Sequence, residues 1–238
     1  MNKKKNIIIL LCAIIILFLS GFVYKKLSTP KFKDLDASWG LGVKVTKSVS
    51  NNRDYEWYVD QCFTGRNSEK NCGPSVLEMS ARWQCKESNI QVSDIVDKYI
   101  PDETVFLGVY LTELYKWMED YKLNPTWLKD ATVDSIINEL NRGNILIVGL
   151  DLQQLKYNYG LTQRIGKPYD LKGAHYVIIK GYKEVDNKLY FEIYDPISAN
   201  MRYADGQLIG IDRYYDTEEL MNSIKCYFPD IVIVSPKK

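Results

Sequence analysis

Asn71-Cys72-Gly73-Pro74-Ser75-Val76-Leu77-Glu78-Met79 is the stretch on which the reading of this chain turns. Proline is tolerated in the first turn of a helix, where its missing N–H would be unpaired anyway. Val76, Leu77, Ser80, Ala81 and Trp83 follow at helical spacing, with small residues for close packing. A helix is therefore predicted over 74–83, with Cys72 at its start. The positive end of a helix stabilises a thiolate. Gly73 beside it leaves room for a substrate backbone to approach.

The partners of such a thiol lie far along the chain. The only histidine, His175, comes 103 residues later in Gly173-Ala174-His175-Tyr176-Val177. Two small residues precede it, and an apolar run follows that reads as a strand. An imidazole there can take the thiol proton. Asp195, in Tyr194-Asp195-Pro196, ends the next apolar run. The turn Val185-Asp186-Asn187-Lys188 joins the two runs into a hairpin, which should set residue 195 opposite residue 175. A carboxylate in that position orients the ring and fixes its tautomer. Gln61 is the fourth candidate: a side-chain amide near the nucleophile can donate to a developing oxyanion together with the Cys72 N–H.

Helical patterns over 74–83, 92–99, 110–120 and 133–140 come before strands at 144–152, 175–182, 188–194 and 231–235. Ser93, or the residues before it, and Thr132 are candidate caps. A short strand is expected at 57–59 and a loop at 62–70. Helices first and strands last predict an α+β domain with a mostly antiparallel sheet. Residues 1–27 form an N-terminal segment, 28–52 a linker and irregular lead-in rich in Gly, Ser and Asn, and 53–238 one catalytic domain. The polar stretch 153–172 is a candidate lid.

Composition narrows the function. The 238 residues carry a net charge of +1. That average hides Lys3, Lys4, Lys5, Lys25 and Lys26, which leave the rest of the chain net acidic. A nucleic-acid surface needs a basic patch, so no nucleic-acid partner is expected. Ile7 to Tyr24 is uncharged and nearly all Ile, Leu, Phe and Val. Its 18 residues stand at the short end of a membrane span. With no small-residue cleavage site before Lys25, it reads as an uncleaved signal-anchor. The expectation is a single-pass membrane protein with an extracytoplasmic C-terminal domain, or a secreted one if the segment is cleaved. Cys12 follows Leu11, not the small residue a lipobox needs.

Cys62, Cys85 and Cys226 remain, allowing one disulfide at most; Cys62 and Cys85 are a candidate pair. One histidine and no Cys-x-x-Cys give no basis for a zinc site, so neither metal nor organic cofactor is expected. Gly160-Leu161-Thr162-Gln163-Arg164-Ile165-Gly166-Lys167 imitates a phosphate loop. It has one residue too many between its glycines and Pro168 where Ser or Thr should stand. The aromatic stretch 115–127 reads as core.

Taken together, the Asp60-Gln61 loop and the segments around Cys72, His175 and Asp195 resemble the bacteriocin leader-peptidase family. This is family thirty-nine of the cysteine peptidases, in the papain-like superfamily. The likeness spans Trp57 to Pro196 and is nearest to the stand-alone C39-like members. It implies a papain-like fold, with the Cys72 helix packed on the sheet. It also implies a peptide or protein substrate, and roles for Cys72 as nucleophile, His175 as general base and acid, Asp195 as ring orienter and Gln61 as oxyanion donor. Gln61 stands farther from Cys72 than in transporter-fused members, so its loop must fold back. The rival acyl-transfer readings are a cell-wall amidase and a transglutaminase-like enzyme. The rival without chemistry is a membrane-tethered binding or immunity module.

Overall fold

The apolar run after Asn144 becomes the central strand of one antiparallel sheet. In this structure, a computed structural model that describes residues 39–100 and 107–237, the strands are β1 (Val45–Ser50), β2 (Thr126–Leu128), β3 (Ile145–Asp151), β4 (Ala174–Val185), β5 (Lys188–Tyr194), β6 (Arg213–Asp216) and β7 (Ile231–Val234). Their order is β2-β7-β3-β4-β5-β6, with β1 paired to the far half of the long β4. The helices are α1 (Cys72–Gln84), α2 (Val92–Tyr99), α3 (Leu111–Asp120), α4 (Val133–Asn141) and α5 (Thr217–Tyr227). The fold is α+β, as the element order predicts.

Both faces of the sheet are covered, which explains the unbroken apolar run of β3. Ile145 and Ile147 pack with residues of α1, α2 and α3. Leu146, Val148 and Leu150 point to the other face and pack with α4 and α5. β4 divides in the same way: Tyr176 and Ile178 meet the first group, Val177 and Ile179 the second. Full burial of such a side chain contributes about 1.5–3 kcal/mol, so β3 and the start of β4 form the rigid base of the molecule. The expected cap at Thr132 is present and accepts from Ser135 N–H at 3.2 Å.

Several expectations are corrected. The lead-in 28–52 is not all irregular, because Val45–Ser50 is β1. Its residues are almost all exposed, so no apolar alternation marks it. Trp57, Tyr58 and Val59 are buried extended chain without strand pairing. The loop 62–70 contains two single 3-10 turns, Gln61–Phe63 and Ser68–Lys70. Ser93 caps nothing. The first N–H of α2, that of Val92, instead donates to Glu78 of α1 at 2.6 Å, tying the two helices together. β2, β6 and α5 add to the predicted elements. The Cys62–Cys85 pairing is not made: both are free thiols, as are Cys72 and Cys226. Cys85 follows the far end of α1, a helix of 13 residues and so about 20 Å long. A disulfide needs Cα atoms within about 7 Å.

The predicted signal-anchor lies outside the described residues. Among the described residues, no helix is long and apolar enough to cross a membrane.

Candidate active site

Cys72 is the first residue of α1, half-buried at its leading end. Asn71 before it makes no side-chain cap. Its amide nitrogen turns back instead to Thr64 Oγ1 (3.0 Å) and the Arg66 carbonyl (2.9 Å). The positive end of the helix is therefore not occupied by a capping side chain. Gly73 has a different use from the expected one. A Cβ there would collide with Val109 Cγ1, so the space belongs to the protein's own chain and not to a substrate. Tyr176, the neighbour of His175, fixes that segment by donating to the Val109 carbonyl at 2.9 Å. The start of α1, the start of β4 and the 107–110 segment thus interlock.

His175 is almost wholly buried on β4, with the Cys72 sulfur near enough to act electrostatically on its ring. Its other side meets Asp195: Nε2 lies 2.9 Å from Oδ1. Burial disfavours a charged ring. The Asp195 carboxylate and the Cys72 sulfur outweigh it and push the ring's proton affinity up to about 10. For Asp195, burial again opposes charge, but the His175 ring and the hydrogen bonds from His175, Tyr169 and Ile197 hold the carboxyl below its ordinary value. The arrangement favours an imidazolium between sulfur and carboxylate.

The register differs from the hairpin expectation. Tyr194 pairs with Ile178, and His175 pairs on its other side with Leu150 of β3. β5 has ended before it could face His175, so Asp195 reaches the ring by its side chain from the segment beyond the strand. That segment is held by groups the sequence did not disclose. Tyr58 Oη donates to the Asp195 carbonyl at 2.7 Å, and the Asp195 N–H donates to the Gly210 carbonyl at 2.9 Å. Asp60 accepts from the backbone N–H groups of Ser198 (3.2 Å), Ala199 (3.3 Å) and Asn200 (3.1 Å). The hydroxyls of Tyr169 and Tyr215 donate to Asp195 Oδ2 at 2.6 and 2.7 Å. Chain distance conceals all of these contacts, because no local pattern links a tyrosine on β6 to a carboxylate 20 residues earlier.

Gln61 is drawn in by its backbone, whose N–H donates to the Pro196 carbonyl at 2.7 Å. Its side chain is buried, and Nε2 donates to the Ser68 carbonyl at 3.1 Å. Its Oε1 has no hydrogen-bond partner among the described residues. The structure thus brings Cys72, His175 and Asp195 together, and holds Gln61 against the turn that leads into α1.

The stretch 153–172 is anchored, not hinged. The guanidinium of Arg213 on β6 donates to the carbonyls of Asn158, Gln163, Ile165 and Gly166. Lys167 Nζ donates to the carbonyls of Leu152 (2.8 Å) and Leu171 (2.7 Å). This fixed wall delivers Tyr169 to Asp195. A cavity of about 620 Å³ lies between the Asp60 loop and the α1–α2 pair and is lined by neither Cys72 nor His175. A smaller apolar cavity of about 260 Å³, lined by Tyr110, Leu111, Thr112, Tyr227 and Phe228, adjoins the Val109 segment. Among the described residues, no group of three or more His, Cys, Asp or Glu is placed to hold a metal ion.

The model of the Peptidase_C39 like family matches residues 53–219. No curated protein matches the chain. Among solved structures, a crystal structure of a candidate C39-like peptidase from Bacillus anthracis superposes with a TM-score of 0.55 at 12% identity. The superposition covers 81% of this chain and 99% of that one. At that identity the likeness concerns the fold alone.

Proposed function

The chain belongs to the C39-like peptidase family, and from that premise we propose that it is a cysteine peptidase acting through Cys72, His175 and Asp195. The observation that carries this reading is His175, whose Nε2 lies 2.9 Å from Asp195 Oδ1 and whose ring is acted on by the Cys72 sulfur. A thiolate at Cys72 attacks the substrate carbonyl carbon and forms a C–S bond. The oxygen gains negative charge beside the Cys72 N–H at the leading end of α1, and Gln61 is the side-chain donor assigned to it. His175 passes a proton to the leaving amine as the C–N bond breaks. It then takes a proton from water, whose oxygen bonds to the acyl carbon as the C–S bond breaks, leaving the Cys72 thiolate beside the protonated ring. Asp195 keeps the ring turned and stabilises its charged form.

Exposed Leu107 and Tyr110 flank Val109, the residue that packs on Gly73, and exposed Leu171 precedes His175. They offer apolar contact to an extended peptide. The proposal includes an extracytoplasmic position, supported by the basic start and the uncharged stretch from Ile7 to Tyr24. The test is a peptide library, run beside peptidoglycan fragments, against the protein and Cys72→Ala. Peptide cleavage by the first alone, with unchanged circular dichroism of the variant, is expected. Cleavage by Cys72→Ala contradicts the proposal, and turnover of peptidoglycan fragments alone makes the chain an amidase.

A further inference from the structure

All the strong acceptor positions of Asp195 are used. Oδ1 accepts from His175 Nε2 (2.9 Å) and the Ile197 N–H (3.0 Å). Oδ2 accepts from Tyr169 and Tyr215, at 2.6 and 2.7 Å. The carboxylate is fully buried. The contacts at Oδ1 already orient the ring. The two phenols at Oδ2 come from separate elements, the anchored 153–172 stretch and β6, and converge on one oxygen. Both anchors depend on the same neighbourhood: Arg213, two residues before Tyr215, binds the carbonyls of the stretch that carries Tyr169.

The other titratable groups that act on Asp195 do not supply a countercharge. Tyr58 and Cys62, from the segment before α1, are both kept protonated, first by burial. Arg213 acts on the Tyr215 phenol. Besides the His175 ring, the two phenols donate to the anion directly. A hydrogen bond donated to a buried carboxylate favours its charged form. A protonated Asp195 loses the charge that holds His175 Nε2–H.

We propose that Tyr169 and Tyr215 are positioning residues that keep Asp195 ionised in acid solution and so keep His175 turned toward Cys72. This rests on the peptidase reading of the site. Loss of one phenol destabilises each state that contains the Asp195 anion, with or without a proton on the ring. The acid limit of the working state moves up, and the alkaline limit, set by the ring, stays in place.

The test uses the full chain in detergent micelles. One histidine gives one ring signal, so the far-downfield proton of His175 Nε2–H is followed by NMR against pH. In Tyr169→Phe and Tyr215→Phe the signal is expected to disappear about one pH unit higher than in the wild type, a tenfold rise in proton affinity, with an unmoved alkaline limit. The rate of Cys72 alkylation by iodoacetamide should lose its acid limb at the same shifted pH. The two variants test the idea from separate elements, and circular dichroism checks each fold. Signal loss at one common pH in all three proteins overturns the proposal. If wild-type Cys72 reacts no faster than Cys85 and Cys226, the peptidase reading fails, and the histidine titration still decides the role of the tyrosines.

Discussion

His175 Nε2 and Asp195 Oδ1 are 2.9 Å apart although no strand pairing sets them opposite each other. The link is made by side chains alone, from the start of β4 to the segment beyond β5. Its geometry therefore depends on what fixes residues 195–200. Asp195→Asn keeps the shape but replaces one acceptor oxygen by a donor. Turnover of a cleaved peptide should fall by roughly 10²–10⁴-fold at unchanged fold. A loss of less than about threefold would place the orienting role elsewhere.

Asp60 is the clamp between the two loops of the site. It accepts from the N–H groups of Cys62, Ser198, Ala199 and Asn200. Asp60→Ala leaves them without their acceptor, at a cost of about 2–4 kcal/mol given the usual strength of bonds to charged groups. Urea unfolding should show that loss, and turnover should fall further than the folded fraction does. Asp60→Asn should recover part of both. Equal stability of wild type and Asp60→Ala would refute the clamp.

Gly73 and Val109 form a fitted pair. A methyl group on Gly73 meets Val109 Cγ1, and overpacking of this kind costs about 1–3 kcal/mol. Gly73→Ala should destabilise the protein, and Val109→Ala added to it should restore part of the loss. A double-mutant cycle in urea measures the coupling; additive effects would mean that the two positions do not touch.

The lone histidine makes one stability prediction separable. The folded-state value for His175 is raised, to about 10, so its charged form stabilises the native state. That stabilisation is fully present below the unfolded value of about 6.5 and is lost as pH rises through the folded one. The difference in unfolding free energy between wild type and His175→Gln should shrink between about pH 6.5 and pH 10. Asp195, whose value is lowered, acts in the opposite sense: its contribution is present above the unfolded value of about 3.9 and lost as pH falls through the folded one. A wild-type advantage that grows toward alkaline pH would contradict the assignment at His175.

The sequence discloses the parts of this molecule whose signals are local. Gly73-Pro74 marks the start of α1, Thr132 that of α4, and the apolar run after Asn144 gives β3. α5 carries a local sign as well: Asp216 accepts from the N–H groups of Glu218 and Glu219 as an N-cap. β1 is an exposed edge strand without apolar alternation, so pattern could not reveal it. Cys72, His175 and Asp195 were legible because their types and flanking residues limit the choices. Asp60, Tyr169 and Tyr215 were not, because a carboxylate in a loop and a tyrosine in a core have many ordinary uses. Only the tertiary path, through the anchored 153–172 stretch and β6, joins them to the site.

The most direct measurement is the rate at which iodoacetamide alkylates each thiol at about pH 6, well below the usual thiol value near 8.5. Peptide mapping separates Cys72 from Cys62, Cys85 and Cys226. The account predicts that Cys72 reacts at least tenfold faster than the others, roughly what a paired thiolate implies, and that His175→Ala removes the advantage. Equal rates for these four thiols, or an advantage that survives without the imidazole, would contradict it.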